Sequence, residues 1–214
     1  MAVKAVLWDF GGVITTSPFE AFNRFEAARG LPKDFIRAVN ATNPDANAWA
    51  GFERSELDLD AFDRRFLEES RALGHAVRGR DVVALLAGAV RPAMVEALKR
   101  CRARLKCACI TNNAKVGAGP GMTLDERKSA EVAEIMTLFH AVIESSKVGV
   151  RKPDPEIYEI ACREVGIAPA EAVYLDDLGI NLKPARAMGM ATIKVTDPDA
   201  ALAELEAAVG FPLG

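Results

Sequence analysis

Val3-Lys-Ala-Val-Leu-Trp-Asp-Phe-Gly-Gly12 begins with an apolar run that only Lys4 interrupts. The run ends at Asp9, and two glycines lie just beyond. Such a run is typical of a central strand of a parallel sheet, which is covered on both faces. Four similar runs span residues 107–111, 141–145, 172–176 and 191–195, and most are separated by helical patterns. These repeats predict parallel strands joined by right-handed crossovers. We therefore expect an α/β fold, a doubly wound, Rossmann-like parallel sheet of five strands, with its ligand beyond their carboxyl ends.

The helices of this repeat have recognisable ends. Pro92 suits the first position of a helix, and Asp154 can cap a helix that starts at Pro155. Asn181 can cap a further helix that stops at Gly189, because glycine favours the end of a helix. In the sequence these predicted helices lie between the predicted strands, as a doubly wound sheet requires.

The segment from about residue 17 to residue 90 breaks the repeat. It is mainly helical in pattern and holds seven of the ten phenylalanines, which are Phe19, Phe22, Phe25, Phe35, Phe52, Phe62 and Phe66. Connections between neighbouring strands rarely need so many residues. We predict a core of residues 1–16 and 91–214 and a helical cap of residues 17–90, inserted after the first strand over the ligand end of the sheet. The alternative is that these helices extend the core layer.

The composition is that of a globular chain, with 214 residues, half of them hydrophobic, and a net charge of −3. This charge offers no basic surface for nucleic acid or an anionic membrane. No apolar run approaches the roughly 18 residues of a membrane span. We expect a cytoplasmic chain, because there is no signal peptide, and we expect its four cysteines to be reduced. The expected partner is a small molecule, and the oligomeric state is left open.

Charged and hydroxyl side chains recur where the predicted strands end. Asp9 closes the first strand, Thr111 the second and Asp176-Asp177 the fourth, and Lys152 follows the third. Neighbouring carboxylates repel each other unless a cation lies between them, and such oxygen ligands suit Mg²⁺, which keeps positions open for water and phosphate. A lysine and a hydroxyl at the same edge can hold phosphate oxygens. The residues indicate a phosphoryl-transfer site.

Four motifs in this order also resemble a known family. They are Asp9-Phe-Gly-Gly12, Thr111, Val148-Gly-Val-Arg-Lys-Pro-Asp-Pro-Glu-Ile-Tyr158 and Tyr174-Leu-Asp-Asp-Leu-Gly-Ile-Asn-Leu-Lys-Pro-Ala-Arg-Ala-Met-Gly189. Together they resemble the haloacid dehalogenase-like hydrolase superfamily. The last two are most similar to the N-terminal phosphatase domain of soluble epoxide hydrolase and the related head of multidomain acyl-CoA dehydrogenases. The resemblance implies a Mg²⁺-dependent phosphatase of small phosphorylated metabolites.

The resemblance also implies catalytic and phosphate-binding roles. Asp9 would be the nucleophile and would form an aspartyl-phosphate that water later hydrolyses. Thr111 and the amide of Asn112 would bind the phosphoryl group, and Lys152 would offset its charge and that of Asp9. A dianionic substrate needs this neutralisation before it can approach a carboxylate.

The resemblance implies a metal site in the same place. Asp9, the carbonyl of Gly11 and Asp177 would bind Mg²⁺ directly, and Asp176 would lie in or next to the shell of ligands. These groups are oxygen donors, the kind that Mg²⁺ prefers.

One position departs from the family pattern. Most phosphatases of the superfamily have a second aspartate, the general acid and base, where this chain has Gly11. General acid–base catalysis is typically worth about 10²–10⁴-fold, so we expect a preference for good leaving groups such as sugar 1-phosphates or acyl phosphates. Side chains that could replace the aspartate are Thr15, Thr16, Glu20, Glu53 and Glu56, and the sequence does not choose among them.

Two other functions stay open at this point. One is metal-free haloacid dehalogenation, which uses the same nucleophile but leaves the paired acids without a cation. The other is a non-catalytic module that binds phosphorylated ligands, because fold alone does not fix function. The glycine-rich stretch 114–124 is a weak candidate for substrate contact.

Overall fold

Five parallel strands form one sheet in the computed structural model, which describes residues 2–113 and 126–213. The strands are β1 (Ala5–Trp8), β2 (Lys106–Thr111), β3 (Ala141–Glu144), β4 (Ala172–Asp176) and β5 (Ala191–Lys194). Their order across the sheet is β3-β2-β1-β4-β5. The prediction of a five-stranded, doubly wound parallel sheet is confirmed, with strand ends shifted by one or two residues. The glycine-rich stretch 114–124 lies outside the described residues.

Helices connect the strands and cover the sheet. They are α1 (Pro18–Ala28), α2 (Phe35–Ala41), α3 (Ala48–Glu53), α4 (Leu59–Ala72), α5 (Gly79–Val83), α6 (Pro92–Arg102), α7 (Glu126–Met136), α8 (Ser145–Val148), α9 (Pro155–Val165), α10 (Gly179–Ala187) and α11 (Pro198–Val209). A π-helical turn over Phe10–Ile14 follows β1, and a short 3₁₀ helix over Pro169–Glu171 precedes β4. Described helices thus lie between successive strands, as the parallel pairing requires.

The sheet is covered on both faces, which explains why β1 is apolar throughout. Successive side chains of a strand point to opposite faces. Val6 and Trp8 pack into one apolar cluster, whereas Ala5 and Leu7 pack into the other. All four are fully buried, so β1 is a central strand that carries Asp9 to its carboxyl end.

Two of the three helix starts inferred from the sequence are confirmed, and so is the stop at Gly189, which has a φ of 97° just after α10. Pro92 is the first residue of α6, and the side chain of Asp154 accepts a hydrogen bond from the amide of Glu156 at the start of α9. The capping role of Asn181 is wrong, because α10 begins at Gly179 and contains Asn181 in its first turn. Its side chain instead binds a carboxylate of the candidate site.

The five helices between β1 and α6 have an apolar cluster of their own. Five of the seven phenylalanines of this segment are buried in it, and Phe19 and Phe25 pack against it. The two ends of the segment meet, since Thr15 pairs with Val90 and the amide of Thr16 donates to the carbonyl of Ala89 at 2.8 Å. These contacts support our division into core (1–16, 91–214) and cap (17–90), which we keep as a proposal.

A helix that crosses a lipid bilayer must be long and apolar. Within residues 2–113 and 126–213, every helix is too short or too polar for that.

Candidate active site

The carboxyl ends of the central strands bring the predicted acidic and basic residues together. The ammonium of Lys152, which is 2% exposed, lies 2.6 Å from Oδ1 of Asp9 and 2.9 Å from Oδ2 of Asp176. One carboxylate oxygen from each of Asp9, Asp176 and Asp177 lies within 4.8 Å of the others. Asp9 thus meets residues that lie more than 140 positions later in the sequence, because parallel strands end at the same edge.

Asp176 is fully buried and holds the cluster in place. Its Oδ1 accepts hydrogen bonds from the amide of Leu178 at 2.8 Å and from Asn181 at 3.0 Å. Its Oδ2 accepts from Lys152, from Asn181 and from the hydroxyl of Tyr174. This set of donors occupies most of what a carboxylate can accept, so Asp176 orients Lys152 and has little capacity left for a metal ion.

Asp177 is held by a residue at the start of the proposed cap. Its Oδ2 accepts a hydrogen bond from the hydroxyl of Ser17 at 3.0 Å. The carboxylate also lies against the backbone of Gly12, where a Cβ would stand 2.3 Å from Oδ2. Gly12 has a φ of 81°, a region that glycine enters without steric cost. The second glycine of the motif is therefore needed to let Asp177 face Asp9.

Gly12→Ala should destabilise the protein, because the new Cβ overlaps Asp177 and the left-handed backbone costs a non-glycine residue about 1–2 kcal/mol. Gly11→Ala is the matched control. Gly11 has a φ of −70°, and a Cβ there meets nothing within 4 Å. Chemical denaturation of both variants checks this, and equal free energies of unfolding would contradict the account of Gly12.

The cluster carries more negative than positive charge. Burial raises the pKa of Asp9 well above its usual value, Lys152 offsets part of this, and Asp176 and Asp177 raise it further. Burial and Asp176 raise the pKa of Asp177 to about 6. Burial alone would lower the pKa of Lys152, but the carboxylates of Asp176 and Asp9 outweigh it and raise that pKa. Three carboxylates face one ammonium, which leaves an excess of two negative charges when all are ionised. A divalent cation would balance that excess.

Thr111 and Asn112 line the same cavity as Lys152. Thr111 ends β2, is buried and lines the same cavity as Asp9. The side chain of Asn112 accepts from the amide of Lys152 at 2.8 Å and donates to its carbonyl at 3.0 Å. These two hydrogen bonds fix the backbone of Lys152 and engage both the oxygen and the nitrogen of the Asn112 side chain.

A cavity of about 770 Å³ lies between these strand ends and the cap. Asp9, Gly11, Thr111, Lys152 and Asp177 line its floor. Much of the remaining lining is apolar or aromatic, and includes Phe19, Phe22, Trp49, Leu86, Val132, Leu178 and Ile180. The cavity therefore combines a charged floor with walls that suit an apolar group, as ligand sites commonly do.

The side chains that could replace an acid at Gly11 differ in burial and in whether they line the cavity. Glu53 is buried and lines the cavity, whereas Glu20 is exposed and the side chain of Glu56 is 57% exposed and paired with Arg54. Thr15 lines the cavity, and its hydroxyl is within 3.4 Å of the carbonyl of Phe10. The hydroxyl of Thr16 accepts from the amide of Ala89.

Several residues of the site were missed by sequence reasoning. Tyr174 and Asn181 bind Asp176, Ser17 binds Asp177, and Arg151 lies with its Nε 2.7 Å from Oε2 of Glu53. Tyr174, Asn181 and Arg151 lie inside the two later motifs. Tyr174 stands two residues before Asp176 and Arg151 directly before Lys152, so these positions were a usable signal. Ser17 gave none, because its partner lies 160 residues away.

Comparisons with known proteins find relatives that align with nearly the whole chain. Mouse acyl-CoA dehydrogenase family member 10 is 33% identical over 98% of this chain and 19% of that protein. Mouse bifunctional epoxide hydrolase 2 is 31% identical over 99% of this chain and 40% of that protein. The chain therefore spans less than half the length of these two relatives. Other curated relatives are named as phosphatases.

A solved structure shows the same fold. It is a haloacid dehalogenase family enzyme from Bacteroides thetaiotaomicron in complex with magnesium and inorganic phosphate, with a TM-score of 0.60 and 18% identity over 92% of this chain and 96% of that one. The family model described as a haloacid dehalogenase-like hydrolase matches residues 3–189. The chain therefore belongs to the haloacid dehalogenase-like hydrolase family.

Proposed function

We propose that this chain is a Mg²⁺-dependent phosphatase of small phosphorylated metabolites and that Asp9 is its nucleophile. The observation that carries the proposal is the cluster of three carboxylates around Lys152 on the floor of the cavity. Relatives named as phosphatases and a structural neighbour with magnesium and phosphate support it. The free, buried cysteines agree with a reducing compartment, and we propose the cytoplasm.

The residues of the cavity floor have different roles in the proposed reaction. The amide of Phe10 and the ammonium of Lys152 both bind Oδ1 of Asp9, which directs Oδ2 to phosphorus. The Thr111 hydroxyl, the Asn112 N–H and Lys152 bind the phosphoryl oxygens, and their charge and dipoles favour the transition state. Attack at phosphorus then breaks the bond to the leaving group and phosphorylates Asp9.

The acidic groups fit Mg²⁺. Asp9, Asp177 and the carbonyl of Gly11 would hold the ion, while Asp176 would support Lys152 from behind, because its oxygens already accept several hydrogen bonds. When bound, Mg²⁺ supplies positive charge to the transferring phosphoryl group. It also balances the excess negative charge of the cluster.

The leaving group and the cavity walls narrow the substrate class. With Gly11 in place of an acid, the leaving group departs unprotonated, which favours groups of low pKa. Phe19, Phe22 and Trp49 line the walls and favour an apolar or aromatic group. We therefore propose acyl and aryl phosphates ahead of sugar 1-phosphates.

Mg²⁺ should raise the melting temperature more at about pH 8 than at about pH 5. The pKa of Asp177 is about 6 in the folded chain against 3.8 for a free side chain. Without metal, the contribution of Asp177 to stability is present below pH 3.8 and is lost as the pH rises through about 6. Mg²⁺ binds the ionised form, so its stabilisation grows over that range. Melting curves with Mg²⁺ or EDTA at both pH values check this; the effect should vanish in Asp177→Asn.

Phosphate release that requires both Mg²⁺ and Asp9 is the test of the proposed function. Dehalogenation would use Asp9 without a metal ion, and release of halide from 2-haloacids in EDTA would favour it. Binding of phosphate without turnover would favour a binding module.

A further inference from the structure

Glu53 is a carboxylate of the cap that reaches the phosphate-binding edge of the core. It ends α3, is 6% exposed and lines the same cavity as Asp9. Its Oε2 lies 2.7 Å from Nε of Arg151 and 3.5 Å from the side-chain nitrogen of Asn112. Arg151 directly precedes Lys152 in the chain, and Asn112 accepts a hydrogen bond from the Lys152 amide. The ammonium of Lys152 contacts Asp9.

The backbone around Glu53 is also fixed to the core. Its carbonyl accepts from the hydroxyl of Ser145 at 2.9 Å, and Arg151 donates to the carbonyl of Pro44 in the cap at 2.9 Å. The carboxylate is therefore held in one position relative to the floor of the cavity. Such fixed placement is what a proton-transfer group needs.

The second half of the proposed reaction needs a base. Water must attack the phosphorus of phosphorylated Asp9 in line with the bond that breaks, from the side opposite Asp9. Asp9 lies on the floor, so that side faces the cap. Four carboxylates line the cavity among the described residues. Asp9 is the nucleophile, Asp177 is a proposed metal ligand, and Asp45 is exposed. Glu53 remains as the buried carboxylate on the cap side.

We propose that Glu53 is the general base that activates the water which hydrolyses phosphorylated Asp9. This rests on the proposed phosphatase function. The water oxygen forms a bond to phosphorus while the bond from phosphorus to Asp9 breaks, and the electron pair of that bond returns to the Asp9 carboxylate. The proton of the water passes to Glu53 and then to solvent. Inorganic phosphate is released.

Burial and the neighbouring groups act on the pKa of Glu53 in opposite directions. The guanidinium of Arg151, with its Nε 2.7 Å from Oε2, together with Trp49 and Lys152, favours the ionised form of the Glu53 carboxylate. Burial outweighs these groups and raises the pKa of Glu53, which makes the ionised carboxylate a stronger proton acceptor. The general-base role uses the ionised carboxylate, which carries no proton for the leaving group, so the preference for good leaving groups remains.

Glu53→Gln should slow the second step and spare the first. With p-nitrophenyl phosphate and Mg²⁺, we expect a burst of nitrophenol equal to the enzyme concentration, followed by a steady state about 10²-fold slower than that of the wild type. The value of kcat should fall while kcat/KM stays close to wild type, because kcat/KM reports the steps up to nitrophenol release. Mass spectrometry after acid quenching should find phosphorylated chain.

Three control variants separate this role from a structural one. Glu56→Gln removes a similar charge from the exposed surface of the cap, and Ser55→Ala removes a bond of 3.1 Å from the cap to the carbonyl of Ser146. Neither should give a burst. Gly11→Asp combined with Glu53→Gln should recover turnover, since an aspartate at position 11 supplies a carboxylate to the cavity.

If Glu53→Gln lowers kcat and kcat/KM equally and gives no burst, the proposed role of Glu53 is overturned. That result would indicate that Glu53 only holds the cap against the core. An unchanged kcat would overturn the proposed role as well. Failure of the proposed function is distinguishable, because the wild-type chain itself would then release no phosphate.

Discussion

Gly11→Asp should speed the hydrolysis of alkyl phosphates by about 10²–10⁴-fold, the usual contribution of general acid–base catalysis. The backbone accepts a side chain at this position, since Gly11 has φ −70° and ψ 129° and a Cβ there meets nothing within 4 Å. Position 11 also lines the cavity beside Asp9. The absence of an acid at this position is therefore not imposed by the backbone, in contrast with Gly12.

The gain should depend on the leaving group. Alkoxides leave slowly without a proton, whereas phenolates and carboxylates leave readily, so Gly11→Asp should help alkyl phosphates far more than p-nitrophenyl or acetyl phosphate. Steady-state kinetics across this series measures the effect. Gly11→Asn is the matched control, with nearly the same size and no transferable proton. Equal gains for Asp and Asn, or a gain that ignores the leaving group, would show that the side chain acts by packing.

The floor of the site could be predicted from the sequence because its residues lie at strand ends. Apolar runs locate the strands, and parallel strands end at a common edge. Asp9, Thr111 and Asp176 each close such a run, so their meeting follows from local patterns alone. Lys152 follows the third strand, so the same argument predicts it at that edge, and the family motif adds its role.

The parts that could not be predicted depend on contacts across the chain. Ser17 and Glu53 reach the core only because the cap closes over it, and no local pattern gives the position of one packed unit on another. Asn181 was assigned to a helix cap because that is the common use of asparagine near a helix start. Its actual partner, Asp176, is buried in the preceding strand, and a buried carboxylate requires hydrogen-bond donors.

Asp9→Asn should abolish phosphate release, by about 10⁴-fold or more, because the amide cannot form the covalent intermediate. The variant should still fold, since Lys152 keeps its contact with Asp176 at 2.9 Å. Its melting temperature and circular dichroism serve as the control for folding.

The most direct test of the account is phosphate release by the wild-type chain and Asp9→Asn, each with Mg²⁺ and with EDTA, on p-nitrophenyl and acetyl phosphate. We predict release only by the wild type with Mg²⁺. Release by folded Asp9→Asn, or equal release by the wild type in EDTA, would contradict a Mg²⁺-dependent phosphatase that acts through Asp9.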